Sequence, residues 1–275
     1  MKYVLLGVIM LLSVSCNQPV SQTRTKNFPR QNRFVEHVPN NKNVWVFIMA
    51  GQSNMAGRAF VEPQDTIESP RILTINKNNR LVYAKEPLHF YEPSMTGLDM
   101  GLAFGKEIIK NIPDSISVML IPTAVGGSTI DKWLTNKEHR HVELLKNFED
   151  KVALGSSYGT IKGVLWHQGE SDTKDTLAIV DYDKKMSQLF KTFRKIINNK
   201  QLPIVVGEIG AFSNNKANWK RLNSKIRSYS KTDDFVDVIL TSDLSDRGDL
   251  LHFDSKSIRI LGERYAKSMM LFLSL

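Results

Sequence analysis

The feature that most constrains this chain is a set of short runs with no polar interruption. In Val44-Trp45-Val46-Phe47-Ile48-Met49 every position is apolar. A strand with one face in water alternates between apolar and polar residues. A strand that is apolar throughout needs cover on both faces, as in a parallel sheet. Comparable runs recur at 72–75, 116–121, 161–166, 203–209 and 236–241. Helical spacing fills the intervals. Residues 101–112 carry Leu102, Phe104, Ile108 and Ile109, and residues 177–198 carry Met186, Leu189, Phe190, Phe193, Ile196 and Ile197. Further helical patterns cover 219–229 and 255–273. Strands alternating with helices predict one three-layer α/β/α domain around a central parallel sheet of about five strands. With 275 residues and 41% hydrophobic content, the chain can bury such a core. The segment 58–96, punctuated by Pro63, Pro70, Pro87 and Pro93, reads as long loops beside the strand ends, where α/β folds carry their sites.

The N-terminus reads differently. Lys2 precedes an apolar run from Tyr3 to Leu12, and small residues follow just before Cys16. A charged start, a short apolar run and a small-residue junction describe a secretory signal over 1–15. Cys16, the only cysteine, sits where the lipobox of bacterial lipoproteins places its acylated residue, although Ser13 stands where Leu is usual. That resemblance implies lipidation at Cys16 and an exported lipoprotein on the periplasmic face or cell surface, in contact with the membrane through its anchor. Residues 16–42, His37 among them, are polar and aperiodic and read as a tether, which leaves 43–275 for the folded domain. Loss of Lys2 with the signal lowers the formal charge from +9 to +8. Export, with lysines spread along the chain, argues against a nucleic-acid partner.

Four segments carry residues suited to chemistry. Gly51-Gln52-Ser53-Asn54-Met55-Ala56-Gly57 leaves the first strand, so Ser53 is offered at a sheet edge, as a nucleophile or as a helix cap. This is not the G-x-S-x-G elbow, because Met55 stands at its second glycine. Asp249-Leu250-Leu251-His252 puts an acid within reach of the Nδ1 side of an imidazole, leaving Nε2 to take a proton from a serine. Trp166-His167-Gln168-Gly169-Glu170-Ser171-Asp172 ends another strand. Thr123-Ala124-Val125-Gly126-Gly127-Ser128-Thr129 can offer backbone N–H groups to an anion, without the lysine of a phosphate loop.

Together, and in this order, these segments resemble the SGNH hydrolase superfamily, in the carbohydrate esterase branch that holds family-six acetylxylan esterases and sialate O-acetylesterase domains. The resemblance spans about residues 44–272 and implies the SGNH, flavodoxin-like sandwich. It further implies a Ser-His-Asp/Glu mechanism that removes O-acetyl groups from a glycan without a cofactor. Ser53 would be the nucleophile and His252 the general base. Asp249 would be the third member, with Glu170 as the alternative. The oxyanion hole would use the amides of Ser53 and Gly126 with the side chain of Gln168, and Gln52, Asn54, Gly127 and His167 would face substrate.

Two competing readings are a lipid or thioester hydrolase on the same fold and a non-catalytic glycan-binding lipoprotein. His89, His139 and His141 show no metal-ligand spacing, and no metal is expected. Asp172 and Asp254 read as structural. Trp133 and Trp166 read as core aromatics, with stacking on a sugar as the alternative.

Overall fold

The computed structural model describes residues 23–273. The expected signal segment and Cys16 lie outside the described residues. The chain runs through β1 (Val44–Gly51), β2 (Ile72–Ile75), β3 (Leu81–Tyr83), α1 (Gly101–Ile108), β4 (Ser117–Pro122) and α2 (Ile130–Leu134). The small ribbon β5 (Glu138–His139) and β6 (Val142–Glu143) comes next, followed by α3 (Leu144–Tyr158) and β7 (Thr160–His167). The last part holds α4 (Thr176–Val180), α5 (Tyr182–Ile197), β8 (Ile204–Gly207), α6 (Lys216–Ser230), β9 (Val236–Ile239) and α7 (Ser255–Leu273).

The main sheet has seven strands in the order β3-β2-β4-β1-β7-β8-β9, against the expected five or so. Every neighbouring pair is parallel except β2 and β3, which form an edge hairpin. Three residues are too few to leave a strand signature, so β3 went unseen within segment 58–96. Alternation along β1 explains its uninterrupted apolarity. Val46, Ile48 and Ala50 enter the core under α2, α3, α5 and α6, while Phe47 and Met49 enter the one under α1 and α7. Trp133 and Trp166 are fully buried and meet edge to face at 5.3 Å, with Phe193 beside both. They are core residues, not sugar platforms.

The described part of the expected tether lies on the domain. Phe34 bridges Val82, the Val35 amide donates to the Leu81 carbonyl, and the Tyr83 amide donates to Arg33. Asn27 donates to the Val61 carbonyl at 2.8 Å, and Phe28 packs on the core. An edge strand needs partners for its backbone groups, and this polar segment supplies them to β3. Residues of the expected tether from Asn27 to Val35 thus make contacts with the domain.

The chain enters the sheet at its centre. β2 and β4 form on one side of β1, and β7, β8 and β9 on the other. Where strand order reverses in this way, the loops leaving the carboxyl ends part and open a crevice. The four segments singled out above leave β1, β4, β7 and β9 at that end.

Candidate active site

Gly51 ends β1 with φ 137°, and a Cβ there would lie 2.1 Å from the His167 carbonyl oxygen. Only glycine lets β1 and β7 stay paired to this point and then release the chain into a turn. The turn closes with the Ala56 amide on the Gln52 carbonyl at 2.8 Å. Ser53 sits on it, 5% exposed, at the floor of a cleft of about 190 Å³. His252 and Asp249 come from the loop before α7. Asp246 accepts from the amides of Gly248 and Leu250, and Asp249 from those of Leu251 and His252. These turns set the loop's shape. Asp254 then caps α7 by accepting from the Ser257 amide at 2.7 Å, a structural role as expected.

His252 Nδ1 lies 2.8 Å from Asp249 Oδ2, and the ring lines the same cleft as Ser53. Burial lowers the imidazole below its ordinary value, and the hydrogen bond and charge of Asp249 offset part of this. The ring is therefore neutral at neutral pH, the form able to accept a proton. Burial would raise the Asp249 carboxyl, but hydrogen bonds from His252 and Arg247 outweigh it and hold the group well below the usual carboxylate range. Arg247 donates to Asp249 Oδ2 at 2.7 Å and also to the Arg58 carbonyl. Asp249, not Glu170, is the acid hydrogen-bonded to His252. Glu170 Oε1 accepts from Asn54 Nδ2 at 2.5 Å and lies 3.7 Å from His167 Nε2.

Other expected roles need revision. Gln168 is fully buried, and its Nε2 donates to Ser128 O at 3.0 Å, Gln52 Oε1 at 3.1 Å and Asp172 Oδ2. Its Oε1 accepts from Tyr182 at 2.8 Å. With the side-chain amide so engaged, Gln168 has no donor to turn to an oxyanion, and it pins the Ser53 turn from beneath. Asp172 in this network is pushed up to about 6, by burial first, against the hydrogen bonds from Gln168 and Ile130. The Gly126 amide does point toward an anion, but that anion is Glu92 Oε2 at 2.6 Å. His167 is buried behind the site, with Nδ1 3.2 Å from the Tyr265 hydroxyl, and so does not face substrate. Asn54 is 1% exposed and bonded to protein groups, so it does not either. Gln52 and Gly127 do line the cleft.

Sequence reasoning missed a charged cluster. Arg58 donates to Glu92 Oε2 at 2.7 Å, and Arg140, between β5 and β6, donates to Glu92 Oε1. Burial would raise the Glu92 carboxyl, but Arg58, the Gly126 amide and Arg140 hold it below its ordinary value, so it is an anion. Arg58 and Arg140 line the cleft with Met95, Ser171, Lys174 and Leu251. Arg58, directly after the serine segment, was open to notice. Glu92 and Arg140 stand 34 and 82 positions beyond it in no local pattern.

A serine on the turn leaving the central strand, beside a histidine held by a carboxylate, defines an SGNH-type serine hydrolase scaffold. The chain belongs to the family described as carbohydrate esterase, sialic acid-specific acetylesterase, whose model matches residues 43–271. It is 33% identical over 177 residues to a probable carbohydrate esterase of Arabidopsis thaliana, an alignment covering 58% of this chain and 66% of that protein, just under two thirds. An Arabidopsis thaliana crystal structure superposes with a TM-score of 0.73 at 26% identity, covering 82% of this chain and 98% of that one. NanS superposes with a TM-score of 0.68 at 14% identity over 86% and 99% of the two chains. A carbohydrate acetylesterase from Xanthomonas citri gives 0.58 at 18% identity over 82% and 55%. The last two bear on the fold alone.

Proposed function

We propose that this protein is a serine esterase that hydrolyses O-acetyl groups on a carbohydrate. The observation that carries the reading is the 2.8 Å contact between His252 Nδ1 and Asp249 beside Ser53 in one cleft. In this mechanism Ser53 Oγ attacks the acetyl carbonyl carbon while His252 Nε2 takes its proton. Asp249 holds the ring's tautomer and stabilises the imidazolium. The tetrahedral intermediate collapses to acetyl-Ser53, and His252 returns the proton to the departing sugar hydroxyl. Water, deprotonated by His252, attacks the acyl carbon, and as acetate leaves His252 returns that proton to Ser53 Oγ.

The Ser53 amide has no partner among the described residues and is the first oxyanion donor. The Gly126 amide becomes the second when Glu92 gives way. Replacing Glu92 with alanine is accordingly expected to raise kcat on a small aryl acetate several-fold. Steady-state kinetics check this, and a fall in kcat with the fold intact would show that Glu92 supports the hole instead.

Size and charge favour a small acyl group on a polar sugar. The cleft, at about 190 Å³, is smaller than the ~300–1,000 Å³ usual for drug-sized ligands, which favours a short acyl group over a long one. Lys174 has no acidic partner among the described residues, and Arg140 is partly exposed, which favours a sugar bearing a carboxylate, such as sialic acid. The test is acetate release from acetylated sialosides and acetylated xylan, beside aryl esters of increasing chain length. Release from a glycan supports the reading, while a chain-length optimum at eight carbons or more contradicts it. Export with a lipid anchor at Cys16 belongs to the same reading. Detergent-phase partitioning of the full chain, lost in Cys16→Ser, tests it.

A further inference from the structure

Asn54 follows the proposed nucleophile directly, yet its side chain is spent on the other half of the site. Its Oδ1 accepts from the Phe253 amide at 3.1 Å, and its Nδ2 donates to the Leu251 carbonyl at 3.3 Å. One carboxamide thus grips the backbone on both sides of His252, across nearly 200 residues of sequence. The same Nδ2 donates to Glu170 Oε1 at 2.5 Å, which fixes which end of the amide faces which partner. Glu170 is buried at the end of β7, 3.7 Å from His167 Nε2, and His167 in turn contacts Tyr265 of α7. Phe253 itself is fully buried, between the rings of His167 at 5.7 Å and Phe212 at 5.1 Å.

We infer that Asn54 is a positioning residue that sets the distance between Ser53 and His252, with Glu170 as the anchor that orients it. The inference rests on the assignment of Ser53 and His252 above. The physical reason lies in the loop. Residues 246–252 are shaped by side-chain turns on an exposed segment, and Leu250 and Leu251 are themselves partly exposed. Little apolar packing fixes that loop before Phe253. A buried amide reaching from the nucleophile's own turn ties the two catalytic segments to each other and not merely each to the sheet. Misplacing a catalytic group by about 1 Å can cost 10²-fold in rate. Leu251 and Glu170, which Asn54 holds, also line the cleft, so a fall in kcat with KM little changed is the mark of a brace and not of a substrate contact.

The experiment compares Asn54→Ala, Glu170→Gln and Glu170→Leu with the unaltered full chain on an aryl acetate, with folding checked by circular dichroism and melting. Asn54→Ala is expected to lower kcat about 100-fold with KM changed less than threefold. Glu170→Gln keeps an acceptor for Asn54 Nδ2 and is expected to retain at least ten times the kcat of Glu170→Leu, which removes it. A kcat within threefold of the unaltered chain in a folded Asn54→Ala, or a loss confined to KM, overturns the inference. If Asn54→Ala fails to fold, the Glu170 pair decides, and equal kcat values for Gln and Leu overturn it. A Ser53→Ala control separates the two levels. Activity surviving that change removes the underlying site assignment, whereas a dead Ser53→Ala beside an unaffected Asn54→Ala removes only the brace.

Discussion

Ser53→Ala is expected to lower kcat for acetyl-ester hydrolysis by about 10⁵-fold or more, with the fold intact. The size follows from the geometry of the site. With the hydroxyl gone there is no covalent step, and His252 and Asp249 have nothing to activate at the acyl carbon. What remains is the small catalysis due to binding and oxyanion donors alone, and here the Gly126 donor is engaged by Glu92. Ser53 is nearly buried and appears in no side-chain hydrogen bond among the described residues, so its loss leaves no structural partner orphaned. Stability is thus expected to change little, a separation of activity from folding that melting curves and progress curves together measure.

The second large effect is on folding. Gly51→Ala is expected to destabilise the protein by about 3 kcal/mol or more, read from urea or thermal unfolding. Two costs combine. A φ of 137° lies where a residue with a side chain is strained by roughly 1–3 kcal/mol. The added methyl would also sit 2.1 Å from the His167 carbonyl oxygen, a backbone atom of β7 that no rotamer change can move aside. Relief requires separating β1 from β7 at the carboxyl end of the sheet, where the Gln52 amide donates to that same carbonyl at 2.9 Å. Activity should fall with stability, because the turn carrying Ser53 begins at the next residue. An unfolding midpoint matching that of the unaltered chain would show that the junction is more pliable than its packing implies.

The sheet and the hydrogen-bonded pair of Asp249 and His252 were legible because each leaves a local trace. β1 is apolar at every position since it divides two cores, and Gly51 marks its end. Asp249 and His252 lie three apart, so the turn that joins them is written in adjacent residues. α3 left a weaker trace, with Leu144, Phe148 and Val152 buried once per turn among charged residues. It was therefore missed, as was the hairpin strand β3.

Side-chain direction was the other gap. Gln168, His167 and Asn54 stand beside Ser53 or at the end of β7, and the family resemblance implied that they meet substrate. Each instead turns into the protein, because a polar side chain at the end of a buried strand must find partners or bear an unsatisfied group. Those partners are Tyr182, 14 residues on from Gln168, and Tyr265, Leu251 and Phe253, which stand 98, 197 and 199 positions from the residues they meet. The clasp of Glu92 by Arg58 and Arg140 is invisible for the same reason. It is a meeting of three loops, not a motif.

The central claim is that Ser53 becomes a nucleophile through His252. Labelling the full chain with a fluorophosphonate and locating the adduct by peptide mass spectrometry tests it most directly. One phosphonyl group per chain is expected, on the peptide containing Ser53, with labelling slowed at least 10³-fold in His252→Ala. A label on a different residue, or equal labelling rates with and without the imidazole, would contradict it.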